Sequence, residues 1–114
     1  MSGRRSRNKG ARGERELARE IARLFGVEAH RGRQYHGGPD SPDVRTGIPG
    51  VHWESKRTEQ LSVYKALEQA KSDARGKVPV VAHRRNGKPW IVCMQLEDLP
   101  RLAVQLYLTL AQNS

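Results

Sequence analysis

Cysteine is almost missing from these 114 residues: Cys93 stands alone, which excludes an intrachain disulfide framework or thiolate metal cluster. Aromatic residues make up only 5% of the chain, and no apolar run approaches the ~20 residues of a membrane-spanning helix. No apolar stretch follows the basic N-terminus, so a secretory signal is not expected, and the chain reads as intracellular, cytoplasmic or nucleoid-associated. Acidic side chains are scarce, 12 against 21 Lys and Arg, which leaves a formal net charge of +9. That surplus favours a polyanionic partner, nucleic acid ahead of an anionic membrane surface. The length suits one domain, large enough to bury a core without disulfides.

Much of the surplus sits at one end. Within residues 1–12 lie Arg4, Arg5, Arg7, Lys9 and Arg12 and no acid. A basic run with glycine and serine and little apolar content predicts a flexible arm that follows phosphates, with binding that weakens steeply in salt. The folded domain is expected over 13–114.

Periodicity then predicts the order α-β-β-β-α-β-β-α. Segment 12–25 carries Leu17, Ile21, Leu24 and Phe25 on one helical stripe, with Gly26 as a stop. Short strands are expected at 27–31 and 43–48, on either side of a glycine- and proline-rich connection. Residues 51–57 alternate apolar and polar and read as a strand. A helix over 61–75 ends at Gly76. Strands at 78–83 and 89–94 are joined around Asn86-Gly87, a hairpin signal. The last helix is expected at 97–111. This is a single small α/β domain, a central mixed sheet flanked by helices.

The chemistry gathers at Pro42-Asp43 and, eleven residues on, at Glu54-Ser55-Lys56. On a strand His52, Glu54 and Lys56 share one face while Val51, Trp53 and Ser55 share the other. Asp43 and Glu54 from adjacent strands would form an oxygen site for a hard cation such as Mg2+, with Mn2+ as a substitute. Lys56 beside it could orient an attacking water or stabilise charge on a phosphate. At about 100° per residue, Glu14 falls on the inward stripe of the first helix, while Glu16 lies opposite, among Arg12, Arg19 and Arg23. A carboxylate aimed inward needs a partner, and a metal-bound water or Lys56 would serve. These are the parts for metal-assisted phosphodiester hydrolysis.

Taken with their order, these residues resemble the PD-(D/E)xK nuclease superfamily and, within it, the archaeal-type Holliday junction resolvases. Lys9-Gly10-Ala11-Arg12-Gly13-Glu14-Arg15-Glu16-Leu17 is similar to that family's N-terminal Lys-Gly-x-x-x-Glu-Arg-Glu-Leu signature. The likeness continues through 27–31, Pro42-Asp43 and Trp53-Glu54-Ser55-Lys56, then loosely to Met94. It implies a restriction-endonuclease-like fold and a catalytic set of Glu14, Asp43, Glu54 and Lys56. In that set Asp43, Glu54 and the Ser55 carbonyl face the metal. It also implies DNA-backbone contacts from Arg15 and, near a further such position, Arg31; Arg33 follows in the same loop. The family acts as a homodimer that nicks opposing strands of a four-way junction. Three features depart from it, one of them a C-terminal helix with only loose similarity to the family's. The small, serine-containing loop before the catalytic Asp is replaced by residues 31–38, and two Pro-Asp pairs occur. Asp43 is preferred to Asp40 because it begins a segment that can be a strand.

The remaining residues read as structural. His30, His36, His52 and His83 lack zinc-like spacing, although His52 shares a face with Glu54. Gln69 and Lys71 are expected on a wet helix face, and Trp53, Trp90 and Cys93 in the core. Arg84, Arg85 and Lys88 flank the hairpin, where they could touch phosphate or guard a sheet edge. The last helix is apolar nearly all round, from Leu99 to Leu110, which predicts a second buried side and hence a homodimer using this helix. The leading expectation is a Mg2+-dependent Holliday junction resolvase. Its rivals are a nuclease of the same fold acting on flaps, ends or duplex, and a non-catalytic nucleic-acid-binding module.

Overall fold

No proline interrupts the chain between Ser2 and Phe25, and helix α1 (Ser2–Phe25) occupies the whole of that stretch. The computed structural model describes residues 2–32 and 43–113, with side chains from residue 10 onward. The helix therefore begins ten residues before the expected start, and the backbone of 2–12 continues it where a flexible arm is predicted. Arginine, lysine and alanine are good helix formers, so the glycines at 3, 10 and 13 weaken this stretch without breaking it. Gly26 ends α1 with φ +64°, its N–H bonded to the Ala22 carbonyl at 2.9 Å.

The remaining elements follow the predicted order. They are β1 (Ala29–Arg31), β2 (Val44–Thr46), β3 (Val51–Arg57), α2 (Val63–Ala74), β4 (Val78–Arg84), β5 (Ile91–Cys93) and α3 (Leu99–Gln112). A single 3-10 turn (Leu96–Asp98) leads into α3 and takes up the first residues of the helix expected there. The five strands form one mixed sheet in the order β1-β2-β3-β4-β5. Only β3 and β4 are parallel, with Trp53 opposite Val80 and Glu54 opposite Val81. A parallel pair needs a long crossover, and α2 supplies it.

Alternation along β3 and β4 divides the core in two. Val51, Trp53, Val78, Val80 and Ala82 face α1 and α3, where they pack with Leu17, Ala18, Ile21 and Leu102. Val81 faces α2, against Ala66, Leu67 and Ala70. The face carrying Glu54 is therefore roofed by α2 rather than left open to water. Trp53 is buried as expected, and Trp90 and Cys93 are partly buried against these cores. Gln69 and Lys71 are exposed on α2.

Helix α3 docks through one narrow side. Leu102 and Thr109 are buried, and the Asn113 side-chain amide donates to the carbonyls of Phe25 (3.3 Å) and Gly26 (3.1 Å). A cavity of about 580 Å³, lined by Leu17, Ile21, Trp90 and Leu106 among others, remains between α1, the sheet and α3. Leu99, Val104, Tyr107, Leu108 and Leu110 are exposed, so the apolar outer side predicted for this helix is uncovered in the single chain.

The approach of α1 to the sheet depends on Gly13. A Cβ built there would lie 2.5 Å from the Arg57 Cβ and 3.6 Å from the Ser55 hydroxyl. The first of these is a clash with the root of a side chain, not with its mobile end. Gly13→Ala is therefore expected to destabilise the fold by about 1–2 kcal/mol, the overpacking cost exceeding the gain in helix propensity. Urea unfolding is the measurement, and an alanine variant as stable as the parent would show that α1 shifts freely over β3.

Candidate metal and nucleic-acid site

The site begins with a backbone pin. The Asp43 N–H donates to the Trp53 carbonyl (3.0 Å), and its own carbonyl accepts from Gly32 N–H (2.9 Å). Asp43 is thus fixed between β1 and β3 at the entry to β2, with Val44 opposite Trp53. In this register the side chains of Asp43 and Glu54 lie on the same face. Asp43 Oδ2 accepts the Ser55 N–H at 2.9 Å. Ser55 meets Asp43 through its N–H.

Glu54 is held from two sides. His52, 2% exposed, places Nε2 2.7 Å from Glu54 Oε1. Asp43 shares a side-chain hydrogen bond with the same carboxyl. Burial pushes Glu54 up, but the bonds from His52 and Asp43 and the nearby charge of Lys56 outweigh it and hold the carboxyl below its ordinary range. Asp43 moves the other way. Burial, then the charge and bond of Glu54, and finally the charge of Glu14 push it up to about 7, against the pull of the Ser55 N–H. The two carboxyls behave as a pair that ionises in sequence.

Glu14 is also drawn in. It lies on the buried side of α1, 8% exposed, as its place on the helical stripe predicts. Its partner among the described residues is Arg31, whose Nε donates to Glu14 Oε1 at 2.5 Å. Arg31 closes β1 opposite Val44, next to Asp43, which brings its guanidinium to the inward side of α1. Lys56 lies two residues beyond Glu54 on the same face of β3 and has no hydrogen-bond or ion-pair partner among the described residues. Asp43, Glu54 and Lys56 thus share one face of the sheet, while Glu14, paired with Arg31 on the α1 side, lies near enough to act on Asp43 through its charge.

Glu16 is separate from this group, as expected, but its neighbours differ from those expected. Its Oε1 receives Arg84 Nη1 at 2.6 Å and lies 3.5 Å from Arg57 Nε. The helix rests on the sheet closely enough, at Gly13, for a flanking position to reach the ends of β3 and β4. Arg12 and Arg15 are exposed on α1. The side chains of Arg4, Arg5, Arg7 and Lys9, all of Arg33, and the Asp40 pair lie outside the described residues.

The donor set fits a hard divalent cation. Two adjacent, largely buried carboxyls keep a proton between them near neutral pH, and a cation can replace that proton while relieving their repulsion. Among the described residues no group of three or more His, Cys, Asp or Glu could enclose a metal. A cation here would be held by Asp43 and Glu54 and would keep water on its other positions, as Mg2+ ordinarily does.

From the sequence His52 is expected on the face of Glu54, at the margin of the site; the structure makes it a direct partner of that carboxyl. Alternation puts it on the face of Glu54, but a lone histidine on a strand carries no sign of whether that face is dry.

No family model and no curated protein matches this chain. Among solved structures, it is similar to Archaeoglobus fulgidus Hjc, a Holliday junction resolvase from an archaeal hyperthermophile. The TM-score is 0.56 at 27% sequence identity, over 75% of this chain and 72% of that one. No helix among the described residues is long and apolar enough to cross a membrane. The five-stranded mixed sheet flanked by helices has the fold of an Hjc-like nuclease.

Proposed function

We propose that this chain is a metal-dependent, structure-selective DNA endonuclease of the PD-(D/E)xK superfamily, acting as a Holliday junction resolvase. The observation that carries the reading is the Asp43–Glu54 carboxyl pair, a half-buried and a buried carboxyl side by side, with Lys56 beyond them having no side-chain hydrogen-bond or ion-pair partner among the described residues, in a fold similar to that of a junction resolvase.

Asp43 and Glu54 would hold Mg2+ or Mn2+. When bound, the ion supplies a Lewis acid that polarises the scissile phosphate and stabilises the leaving oxygen. The Lys56 ammonium orients the attacking water and neutralises charge on the phosphate, a task that suits a cation with no ion-pair partner among the described residues. Glu14 holds Arg31 on the α1 side of the sheet, which would set a guanidinium to meet a passing strand. Arg12 and Arg15, with Arg4, Arg5, Arg7, Lys9 and Arg33, would track the backbone and give binding its salt dependence. The exposed apolar side of α3 would be covered by a second copy, so that two sites address opposing strands.

Cleavage of four-way, three-way, flap and linear DNA, with Mg2+ added and withheld, tests the proposal. The expected result is paired nicks in the four-way substrate and only in metal. Equal rates on linear duplex would remove the resolvase assignment and leave a nuclease of the same fold. Junction binding with no cleavage in Mg2+ or Mn2+ would establish a binding module instead.

A further inference from the structure

Histidine is an unusual choice for position 52. It faces α2 from the middle of the sheet, beside Pro79 on β4, and is 2% exposed. A neutral apolar residue would fill that place without a polar group to satisfy. The only side chain within hydrogen-bond reach of its Nε2 among the described residues is Glu54, at 2.7 Å. An ionised carboxylate has no proton to give, so the imidazole is the donor: Nε2–H points at Oε1. The bond fixes the rotation of the Glu54 carboxyl about its last side-chain torsion, a broad and otherwise soft coordinate.

We propose that His52 is a positioning residue that occupies one oxygen of Glu54, leaving the other for a cation and so favouring a small ion over Ca2+. This rests on the metal-dependent reading given above and deepens it. A carboxylate with both oxygens free can grip a large, flexibly coordinated ion with two bonds, as Ca2+ sites commonly require. With Oε1 engaged by the imidazole, and with the hydrogen bond to Asp43 giving way to the ion, Glu54 offers a cation one oxygen in preference to two, which suits the octahedral demands of Mg2+ and Mn2+. His52 thus acts from behind the ligand, as hydrogen-bonding partners of metal-ligating carboxylates do elsewhere. It touches neither substrate nor metal.

The test uses the full chain without DNA and reads ion binding, not activity. Calorimetric titration with Mg2+, Mn2+ and Ca2+ is compared for the unmodified protein, His52→Leu and His52→Gln, each checked for folding by circular dichroism. His52→Leu is expected to weaken Mg2+ and Mn2+ binding by about 10–100-fold. Ca2+ binding should fall less or rise, which narrows the preference between the ions. His52→Gln, which can still donate to Glu54, should recover most of the Mg2+ affinity. A folded leucine variant with unchanged affinities and preference would overturn the proposal alone. An unmodified protein that binds none of the three ions at millimolar concentration would overturn the metal-dependent reading as well. If the leucine chain fails to fold, nitrogen NMR of the unmodified protein decides. A proton bonded to Nε2 of His52 and exchanging slowly supports the bond, and an unprotonated Nε2 overturns it.

Discussion

Asp43→Asn should abolish cleavage, by on the order of a thousandfold or more, while leaving junction binding in metal-free buffer unchanged or slightly tighter. The size follows from losing a metal ligand: Lewis-acid stabilisation amounts to several kcal/mol, and each 1.36 kcal/mol is a factor of ten in rate. The direction for binding follows from removing a negative charge where a phosphate must approach. The fold should survive, because the asparagine side-chain oxygen can still accept the Ser55 N–H that Asp43 Oδ2 accepts at 2.9 Å. Apo-protein stability above pH 7 should even rise, since the repulsion between this carboxylate and Glu54 is gone. Single-turnover cleavage and gel-shift binding on one junction are the two measurements. Residual cleavage within tenfold of the parent would remove Asp43 from the metal site.

A comparably large effect is expected from metal on stability, and pH sets its size. Asp43 is pushed up to about 7 in the folded chain, against an ordinary value near ~3.9 when unfolded. Between these values the native state binds the extra proton. Stability from this group is therefore present at low pH, declines as pH rises from about 4 to about 7, and is fully lost above that. Glu54 is lowered, and its opposite contribution disappears only on acidification below the ordinary carboxylate range. From pH 5 to about 7, then, Asp43 makes the metal-free protein progressively less stable, with little further change above that. Mg2+ at a hundred times its dissociation constant would add about 2.7 kcal/mol at pH 8, or on the order of 10 °C in Tm. At pH 6 the proton competes for Asp43, and the same Mg2+ concentration should give a clearly smaller shift. Thermal melts at the two pH values, with EDTA or Mg2+, make the comparison. A Mg2+ shift that is equal or larger at pH 6 would be incompatible with Asp43 as a ligand.

How much of this was legible beforehand varied by residue, for physical reasons. Strand β3 matched the expected 51–57 to the residue, because alternation of Val51 and Trp53 with polar neighbours has only one strand reading. The inward direction of Glu14 followed from helical phase alone. Its pairing with Arg31 did not, because that contact joins a helix to a strand across seventeen positions and depends on how α1 lies over β1. The same limit hid Glu16's hold on Arg84, 68 positions away. The face of Glu54 was placed correctly but its surroundings were not. Alternation separates two faces of a sheet, and which of them a helix covers is decided by the crossover between β3 and β4. That is why His52 looked marginal in the sequence and is the most deeply buried polar side chain of the site. The start of α1 was missed because a basic run without apolar residues gives periodicity nothing to register.

The parallel pairing of β3 with β4 also bears on how the protein comes into being. Glu14, Arg31, Asp43, Glu54 and Lys56 all precede residue 57, so the chemistry belongs to the first half of the chain. The second half supplies the strand and helices that press against it. Bringing β4 alongside β3 requires the α2 crossover to be spanned first, a slow kind of closure compared with the turn that joins β2 to β3. The acidic pair can therefore meet before its roof is in place. On a ribosome, where the first half emerges first, a divalent ion would find its ligands while the strand that seals them is still being made.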